Sequence, residues 1–261
     1  MERALWIGKT GLDAQQNRLA IISNNLANVN TIGFKRDRAV FEDLLYQNLR
    51  QVGGSTSQST ELPTGKRLGT GVRIVATEKL HTQGNVIQTE NQLDMAINGR
   101  GYFQILLPDG STSYSRDGSF QMNSQGQIVT SSGYELQPAI TVPTDAISVS
   151  IGSDGTFSSL TQGNPTPITL GNLQLADFVN PAGLQSIGEN LYLETSSSGT
   201  ATAGTPGQTG LGALIQGSLE SSNVNVVEEL VNMIETQRAY EMNSKVISTA
   251  DGMLRYVSNN L

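Results

Sequence analysis

Apolar residues recur at every seventh position at both ends of this chain, in two segments separated by nearly the whole sequence. A strict seven-residue spacing places side chains in one narrow column along a helix, and a partner helix is needed to cover that column. The two terminal helices are the obvious partners for each other. We call these columns the heptad seam, and its members are Leu5, Leu12, Leu19 and Leu26 near the start and Leu219, Val226, Met233, Tyr240, Ile247, Leu254 and Leu261 near the end.

The composition excludes several classes of protein. The chain has 261 residues, a net charge of −7 and no cysteine, so disulfides, Cys-zinc sites and thiol catalysis are excluded. Nucleic acid is not an expected partner of an acidic chain without a basic patch. No apolar run approaches the roughly 18 residues that cross a membrane, and no cleavable secretory signal is visible. The hydrophobic content of 37% is low, so we expect a packed core in only part of the chain.

Residues 3–30 are predicted to form a helix of about 40 Å whose last part is rich in asparagine. Asn is a mediocre helix former, yet four occur within seven positions, among them Asn24, Asn25 and Asn28. One interpretation is a fraying helix end with Gly33 as the left-handed residue that closes it. The other is that the amide side chains hydrogen-bond to the backbones of neighbouring helices once water is excluded. The two interpretations are compatible.

The middle of the chain changes from a helical period to a period of two. Turn dipeptides such as Asp109-Gly110 and Asp154-Gly155 separate short alternating segments, which predicts antiparallel hairpins. The predicted fold class is therefore α+β. Its predicted segments are an N-terminal helix and connector (1–46), an extended polar arm (47–71), a central antiparallel β domain (72–194), a flexible return linker (195–214) and a C-terminal helix (215–261) that forms a coiled-coil-like terminal domain with the first.

The C-terminal helix is predicted to begin at a polar cap and to run to the end of the chain. Ser222 or Asn223 can cap it, because their side chains accept hydrogen bonds from the first free amides of a helix. Glu228 and Glu229 follow early, where the helix dipole favours negative charge. A helix of about 38 residues would be near 57 Å long, which is too long for an isolated surface helix.

Long motifs at both ends resemble those of bacterial flagellar rod and hook proteins, and segments between them are similar to the distal rod members of that family. The resemblance covers essentially the whole chain. Its motifs are Ser23-Asn24-Asn25-Leu26-Ala27-Asn28 with Thr31-Ile32-Gly33-Phe34-Lys35, then Phe41-Glu42-Asp43-Leu44-Leu45-Tyr46, Gly69-Thr70-Gly71-Val72, Ser186-Ile187-Gly188-Glu189-Asn190-Leu191-Tyr192, and finally Ser222-Asn223-Val224-Asn225 with Glu228-Glu229-Leu230-Val231-Asn232-Met233-Ile234 and Gln237-Arg238-Ala239-Tyr240-Glu241.

The resemblance implies a structural subunit that polymerises helically into a hollow shaft transmitting torque to the hook. It implies export through the flagellar type III pathway and a place in the periplasmic rod of the basal body. The implied partners are further copies of the chain, proximal rod proteins, the hook or its junction, the periplasmic and outer-membrane ring proteins and the export apparatus. The implied assembly interface comprises Leu5, Leu12, Leu19, Leu26, Asn24, Asn25, Asn28, Gly33, Phe34, Val226, Leu230, Met233, Gln237, Tyr240, Ile247 and Leu254.

Three alternatives compete with this hypothesis. A proximal rod or hook-type protein shares the terminal motifs. A surface adhesin or carbohydrate-binding β domain, oligomerised through a coiled coil, would also explain hairpins rich in Ser, Thr and Gly. An enzyme is not expected, because the single histidine, His81, lies in a polar stretch and no nucleophile motif or His-rich metal spacing occurs. No cofactor is predicted.

Overall fold

The computed structural model describes residues 2–50, 52–53, 55–57, 60–61, 63–161 and 166–259. One helix lies near each end of the chain and the described residues between them are rich in strands, so the α+β class is confirmed. The helices are α1 (Glu2–Ala27) and α2 (Val226–Asn259). At about 1.5 Å per residue they are roughly 39 Å and 51 Å long.

The strands of the described residues are short, and most pair with antiparallel neighbours. They are β1 (Asp37–Asp43), β2 (Gln47–Arg50), β3 (Ser55–Ser57), β4 (Thr60–Glu61), β5 (Lys66–Leu68), β6 (Val72–Lys79), β7 (Val86–Gln88), β8 (Met95–Asn98), β9 (Tyr102–Leu106), β10 (Thr112–Ser115), β11 (Phe120–Met122), β12 (Ile128–Thr130), β13 (Glu135–Gln137), β14 (Ala146–Ile151), β15 (Thr156–Thr161), β16 (Ile168–Asn172), β17 (Leu175–Asp177), β18 (Gln185–Gly188), β19 (Leu191–Leu193), β20 (Thr202–Gly204), β21 (Ala213–Gln216) and β22 (Ser218–Glu220).

The chain folds into two compact units. The first, or helical unit, comprises the described parts of 1–27, 37–78 and 225–261. Its helices α1 and α2 pack against each other, and α1 also contacts β1. Strand β1 pairs with β6 in a two-stranded sheet. The amide of Leu44 donates to the carbonyl of Gly71, which extends the same pairing towards the end of β1.

The predicted polar arm has more regular structure than its composition indicated. Strand β2 pairs antiparallel with β5, and β3 pairs with β4, so the described part of the arm is a two-stranded ladder. The four residues of β2 are all exposed, as are the three of β5. Backbone hydrogen bonds therefore hold the described part of the arm together where exposed strands provide no hydrophobic core. The sequence did not indicate this strand pairing.

The second, or β unit, comprises 28–36 and 79–224. Its main sheet has the order β11-β12-β13-β9-β10-β19-β18, and β17 joins it by pairing with β9 and β20. A three-stranded sheet, β14-β15-β16, and the pairs β21–β8 and β22–β7 complete the unit. Aliphatic and aromatic residues form its core, chiefly Met95, Ile97, Phe103, Phe120, Ile128, Leu136, Phe157, Leu173, Leu175, Leu211 and Leu214.

Glycine turns close the hairpins where the sequence predicted them. Strands β9 and β10 meet at a turn in which Gly110 has φ +83°, and β14 and β15 at one in which Gly155 has φ +85°. Such left-handed conformations favour glycine because a Cβ is disfavoured there. These local signals predicted the hairpins without knowledge of their partners.

The return segment 195–214 differs from the flexible linker that its composition predicted. Thr195 and Ser198 form a hydrogen-bonded turn. The buried Ser198 hydroxyl accepts a hydrogen bond from the amide of Thr195 and donates one to the carbonyl of Thr195. Strand β20 pairs with β17, and Leu211 packs into the core of the β unit. Tertiary pairing therefore orders a segment that has few apolar residues of its own.

The ends of the helices also differ from the sequence prediction. Asn225 caps α2, since its Oδ1 accepts hydrogen bonds from the amides of Val227 at 3.1 Å and Glu228 at 3.4 Å. Ser222 and Asn223 do not cap it, because their side chains bind inside the β unit.

Within the residues that the structure describes, no helix is both long and apolar enough to span a bilayer.

Candidate assembly interface

Helices α1 and α2 pack closely because small residues lie between them. A Cβ placed on Gly8 would lie 2.8 Å from Cγ1 of Ile247, and one on Gly11 would lie 3.0 Å from Nδ2 of Asn243. Positions rise along α1 as they fall along α2, so the two helices are antiparallel. Contacts of this length show that side chains larger than glycine would have to displace the facing helix.

Most of the buried positions on the described parts of the two helices lie three residues beyond a heptad-seam residue. On α1 the fully buried residues include Gly8 and Ile22, which follow seam leucines by three positions. On α2 they are Glu229, Thr236 and Ala250, which stand in the same relation to the seam. The helix contact therefore uses two adjacent columns, and the less apolar one is buried more completely.

The seam residues on the described parts of α1 and α2 are half-buried or exposed in the single chain. Leu219 lies in β22 and not in the predicted helix, and Leu261 lies outside the described residues. The four leucines of α1 and the α2 residues Met233, Ile247 and Leu254 are half-buried. On α2, the predicted interface residues that are exposed are Val226, Leu230, Gln237 and Tyr240. Seam side chains on both helices thus retain surface that a further chain could cover.

A second apolar column on α2 was missed by the seven-residue analysis. Its members follow one another at spacings of three, four, seven or eight residues and therefore share one face of the helix. The signal was present in the sequence as a second 3–4 pattern. The column comprises Val227, Val231, Ile234, Met242, Val246, Met253 and Val257, of which Val227 is 70% and Met253 60% exposed.

The asparagine-rich end of α1 bonds to the chain's own backbone. Nδ2 of buried Asn25 donates to the carbonyl of Asp37 at 2.9 Å, and Oδ1 of Asn25 accepts from the amide of Asp37 at 2.9 Å. The side chain thus pairs with the first residue of β1 as a strand would. The expectation that such amides bind neighbouring helices is corrected for Asn25, since its partner is a strand.

The other polar residues predicted at this end occupy different environments. Exposed Asn24 lines an open groove of about 390 Å³ together with Asn17, Ile21 and Ile74. Oδ1 of Asn28 accepts a hydrogen bond from the Thr31 hydroxyl at 3.1 Å.

Gly33 and Phe34 belong to the β unit. The predicted role of Gly33 as the closing residue of α1 is wrong, because α1 ends at Ala27. Gly33 is nevertheless left-handed, with φ +69°, and a Cβ there would lie 2.7 Å from the carbonyl carbon of Arg116. Phe34 is buried, and Nζ of Lys79 lies 5.1 Å from its ring centroid.

His81 lies in an aromatic cluster of the β unit. Its Nδ1 is 2.8 Å from the hydroxyl of Tyr102, and the ring packs edge-on against Tyr102 and Tyr192. Burial, reinforced by the charges of Lys35, Arg116 and Lys79, lowers the pKa of His81 to about 4. Packing and one hydrogen bond account for this histidine. The described residues include no group of three or more His, Asp or Glu side chains arranged to hold a metal ion.

Comparison with known families covers both ends and the middle of the chain. The description "flagella basal body rod protein" matches residues 5–35, "flagellar hook protein FlgE/F/G D1 domain" matches 96–159, and "flagellar basal body rod FlgEFG protein C-terminal" matches 215–261. The flagellar basal-body rod protein FlgG of Buchnera aphidicola subsp. Acyrthosiphon pisum is 58% identical over 255 residues, and that of Caulobacter vibrioides is 49% identical over 257, each alignment covering 98% of both chains. The chain belongs to the FlgG family of flagellar basal-body rod proteins.

Membership of this family identifies the chain as a structural protein of the flagellar rod. FlgG from Bacillus subtilis is 41% identical over 265 residues, with 99% of both chains covered, so similarity extends to distant bacteria over the full length. The family consists of structural rod proteins of the flagellar basal body and is not enzymatic. The adhesin alternative is not favoured by these relatives.

Proposed function

We propose that this chain polymerises helically, through its terminal helices, into the hollow distal rod that transmits torque to the hook. One observation carries the proposal. Helix α2 presents two apolar faces, of which one packs on α1 while the column from Val227 to Val257 is exposed. A row of large apolar side chains on a soluble chain indicates a surface that another protein covers.

Pairing of α1 with α2 in a coiled-coil-like manner is part of this proposal. Its support is the alternation of the partly buried heptad seam with the more fully buried column, three and four residues apart, which is the spacing at which knobs of one helix meet holes of another. The predicted interface residues on the same helices would then make contacts to further copies. Val226, Leu230, Gln237 and Tyr240 are exposed and available for that role.

The polar arm is proposed to stiffen the polymer by lying across neighbouring subunits. The β2–β5 ladder supports this, because an exposed hairpin can reach a neighbour without first having to fold. Leu45, at 89% exposed, and Tyr46 lie immediately before the ladder. They give the base of the arm an apolar surface that a neighbouring chain could bury.

The partners that follow from this function are proximal rod proteins at one end, the hook or its junction at the other, and the ring proteins around the rod. We propose that the chain reaches the periplasmic rod through the flagellar type III export apparatus, without a cleavable signal. Membership of the FlgG family supports a place in the rod.

Electron microscopy of the purified chain tests the polymer directly. After concentration and slow annealing, heterologous contacts between identical subunits should produce open tubes whose length varies from particle to particle. A coiled-coil adhesin would instead give closed particles of one small size. Particles of a single size under every condition that permits folding would contradict the proposal.

A further inference from the structure

Three charged side chains are buried together in the β unit. Lys35, Arg116 and Glu220 are 0%, 5% and 1% exposed. Glu220 lies between the two cations: its Oε1 accepts from Nζ of Lys35 at 2.5 Å and its Oε2 from Nη1 of Arg116 at 3.2 Å. Oε1 also accepts a hydrogen bond from the amide of Gly84 at 2.8 Å. One carboxylate therefore serves three donors from three parts of the chain.

The two cations extend this cluster to further backbone groups. Nζ of Lys35 donates to the carbonyl of Thr82 at 2.8 Å, and Nη2 of Arg116 donates to the carbonyl of Gly99 at 2.7 Å. The guanidinium carbon of Arg116 also lies 5.1 Å from the ring centroid of Tyr102. Burial lowers the pKa of Lys35, while the Glu220 carboxylate raises it and so favours the charged ammonium.

Backbone hydrogen bonds around the cluster join the segment that follows α1 to the segment that precedes α2. The amide of Gly33 donates to the carbonyl of Glu220 at 2.8 Å. The amide of Arg36 donates to Oδ1 of Asn223 at 2.8 Å. Nδ2 of Asn223 in turn donates to the carbonyl of Leu80 at 2.8 Å. Residues 187 positions apart in sequence are thereby fixed side by side.

A buried ion pair contributes little net stability compared with apolar residues of the same volume, but it penalises every arrangement in which one charge loses its partner. The cluster has one anion and two cations. Removal of either cation leaves a neutral pair, whereas removal of the anion leaves two buried cations together. Removal of Glu220 should therefore destabilise the cluster more than removal of Lys35 or Arg116.

We propose that Lys35, Arg116, Glu220 and Asn223 form a clasp that holds together the two chain segments by which the β unit continues into the terminal helices. The clasp holds these two of the chain's exits from the β unit together, so that a pull on one segment is shared with the other. A role of the clasp in transmitting torque depends on the proposed function of the chain as a subunit of the rod. The clasp itself is a property of the single chain.

Native-state hydrogen exchange on the full-length, unassembled chain tests the clasp. In Glu220→Gln the amides of Gly33, Gly84 and Arg36 should exchange about 100-fold faster or more, because the buried cations lose their anion and the exits open locally. The amides of β9 and β10 should change much less. Lys35→Met and Arg116→Met, which leave a neutral pair, should speed the same amides by only roughly tenfold.

Asp177→Asn is the matched control. It neutralises a carboxylate in the same unit whose partner, Arg100 at 3.1 Å, is exposed, so it should leave the clasp amides unchanged. If all amides of the β unit exchange equally faster in Lys35→Met, the cluster has a general stabilising role and the clasp is wrong. Unchanged exchange rates in Glu220→Gln would also contradict the clasp. If Glu220→Gln does not fold, Lys35→Met and Arg116→Met decide the question. Because the chain is unassembled, the result does not depend on whether it polymerises.

Discussion

At the scale of single residues, two glycines show which positions of the terminal helices pack against another part of the chain and which do not. Gly8 on α1 faces Ile247 at a distance that leaves no room for a side chain, whereas a Cβ on Gly252 of α2 would meet nothing within 4 Å. Both lie inside helices, where glycine costs about 1 kcal/mol relative to a good helix former. Gly8 therefore has a packing role that Gly252 lacks.

Replacement of each glycine by leucine should change stability in opposite directions. Gly252→Leu should raise the free energy of unfolding of the helical unit by roughly 0.5–1 kcal/mol through helix propensity. Gly8→Leu should lower it by about 1–3 kcal/mol, because overpacking forces the helices apart. Denaturant unfolding followed by helical circular dichroism measures both. An equal gain in the two variants would mean that the helices do not approach closely at Gly8.

His81 should make the β unit sensitive to acid. Its pKa is lowered to about 4 by burial beside Lys35, Arg116 and Lys79, while the unfolded chain keeps a value near 6.5. The unfolded state therefore binds the proton first, and the stability that the neutral ring contributes is present above pH 6.5 and lost as the pH falls towards 4. Between pH 7 and pH 5 the loss should be about 2 kcal/mol.

The variant His81→Gln isolates this contribution. It removes the titrating ring while keeping a polar group opposite Tyr102, so the unfolding free energy of the variant should fall less between pH 7 and pH 5 than that of the wild type. Urea unfolding at the two pH values, followed by tyrosine fluorescence, gives the difference. Identical pH dependence in the two proteins would place the acid sensitivity elsewhere.

At the scale of elements, the sequence predicted structures that depend on neighbouring residues, such as turns. It did not predict which distant segments pair with each other. The hairpins at Gly110 and Gly155 were predicted because a turn needs only its own residues. The pairing of Asn25 with Asp37 was missed, since nothing in the spacing of an amide indicates which backbone it binds. The cap of α2 was placed two or three residues early because Ser222, Asn223 and Asn225 are chemically equivalent candidates.

The polar arm and the return segment were misjudged for the same physical reason. Both are poor in apolar residues, and composition alone indicates that neither buries enough surface to fold. Antiparallel pairing of β2 with β5 and of β20 with β17 supplies the missing hydrogen bonds. The second apolar column of α2 was not among the predicted assembly residues, because a period of seven alone does not separate it from the heptad seam.

Deletion of residues 53–64 tests the arm. The terminal helices remain, so polymer should still form. The tubes should be curved or more compliant, because the segment proposed to cross neighbouring subunits is gone. The persistence length of the tubes in electron micrographs is the readout. A variant that replaces the same residues by a flexible Gly/Ser segment of equal length controls for spacing. Tubes as straight as those of the parent would show that the arm contributes no stiffness.

At the scale of the whole molecule, the chain combines a β unit with its own core and a helical unit that leaves large apolar side chains uncovered. The β unit buries Phe103, Phe157, Met95 and Leu175 almost completely. The helical unit buries small and polar residues between its helices and exposes Val227, Ile234 and Met253. This division is what a subunit needs if it folds before it assembles and gains its remaining apolar burial from its neighbours.

The most direct test of this account is polymerisation of Ile234→Asp, compared with Val179→Asp. Ile234 is 50% exposed on α2 and Val179 is 89% exposed on the β unit, so neither change should alter the melting of the unassembled chain. A charge on the α2 column would be buried without a partner at every subunit contact, which costs several kcal/mol each time. Electron microscopy after annealing should therefore show tubes for the wild type and Val179→Asp and none for Ile234→Asp. Normal tubes formed by a folded Ile234→Asp chain would contradict assembly through the terminal helices.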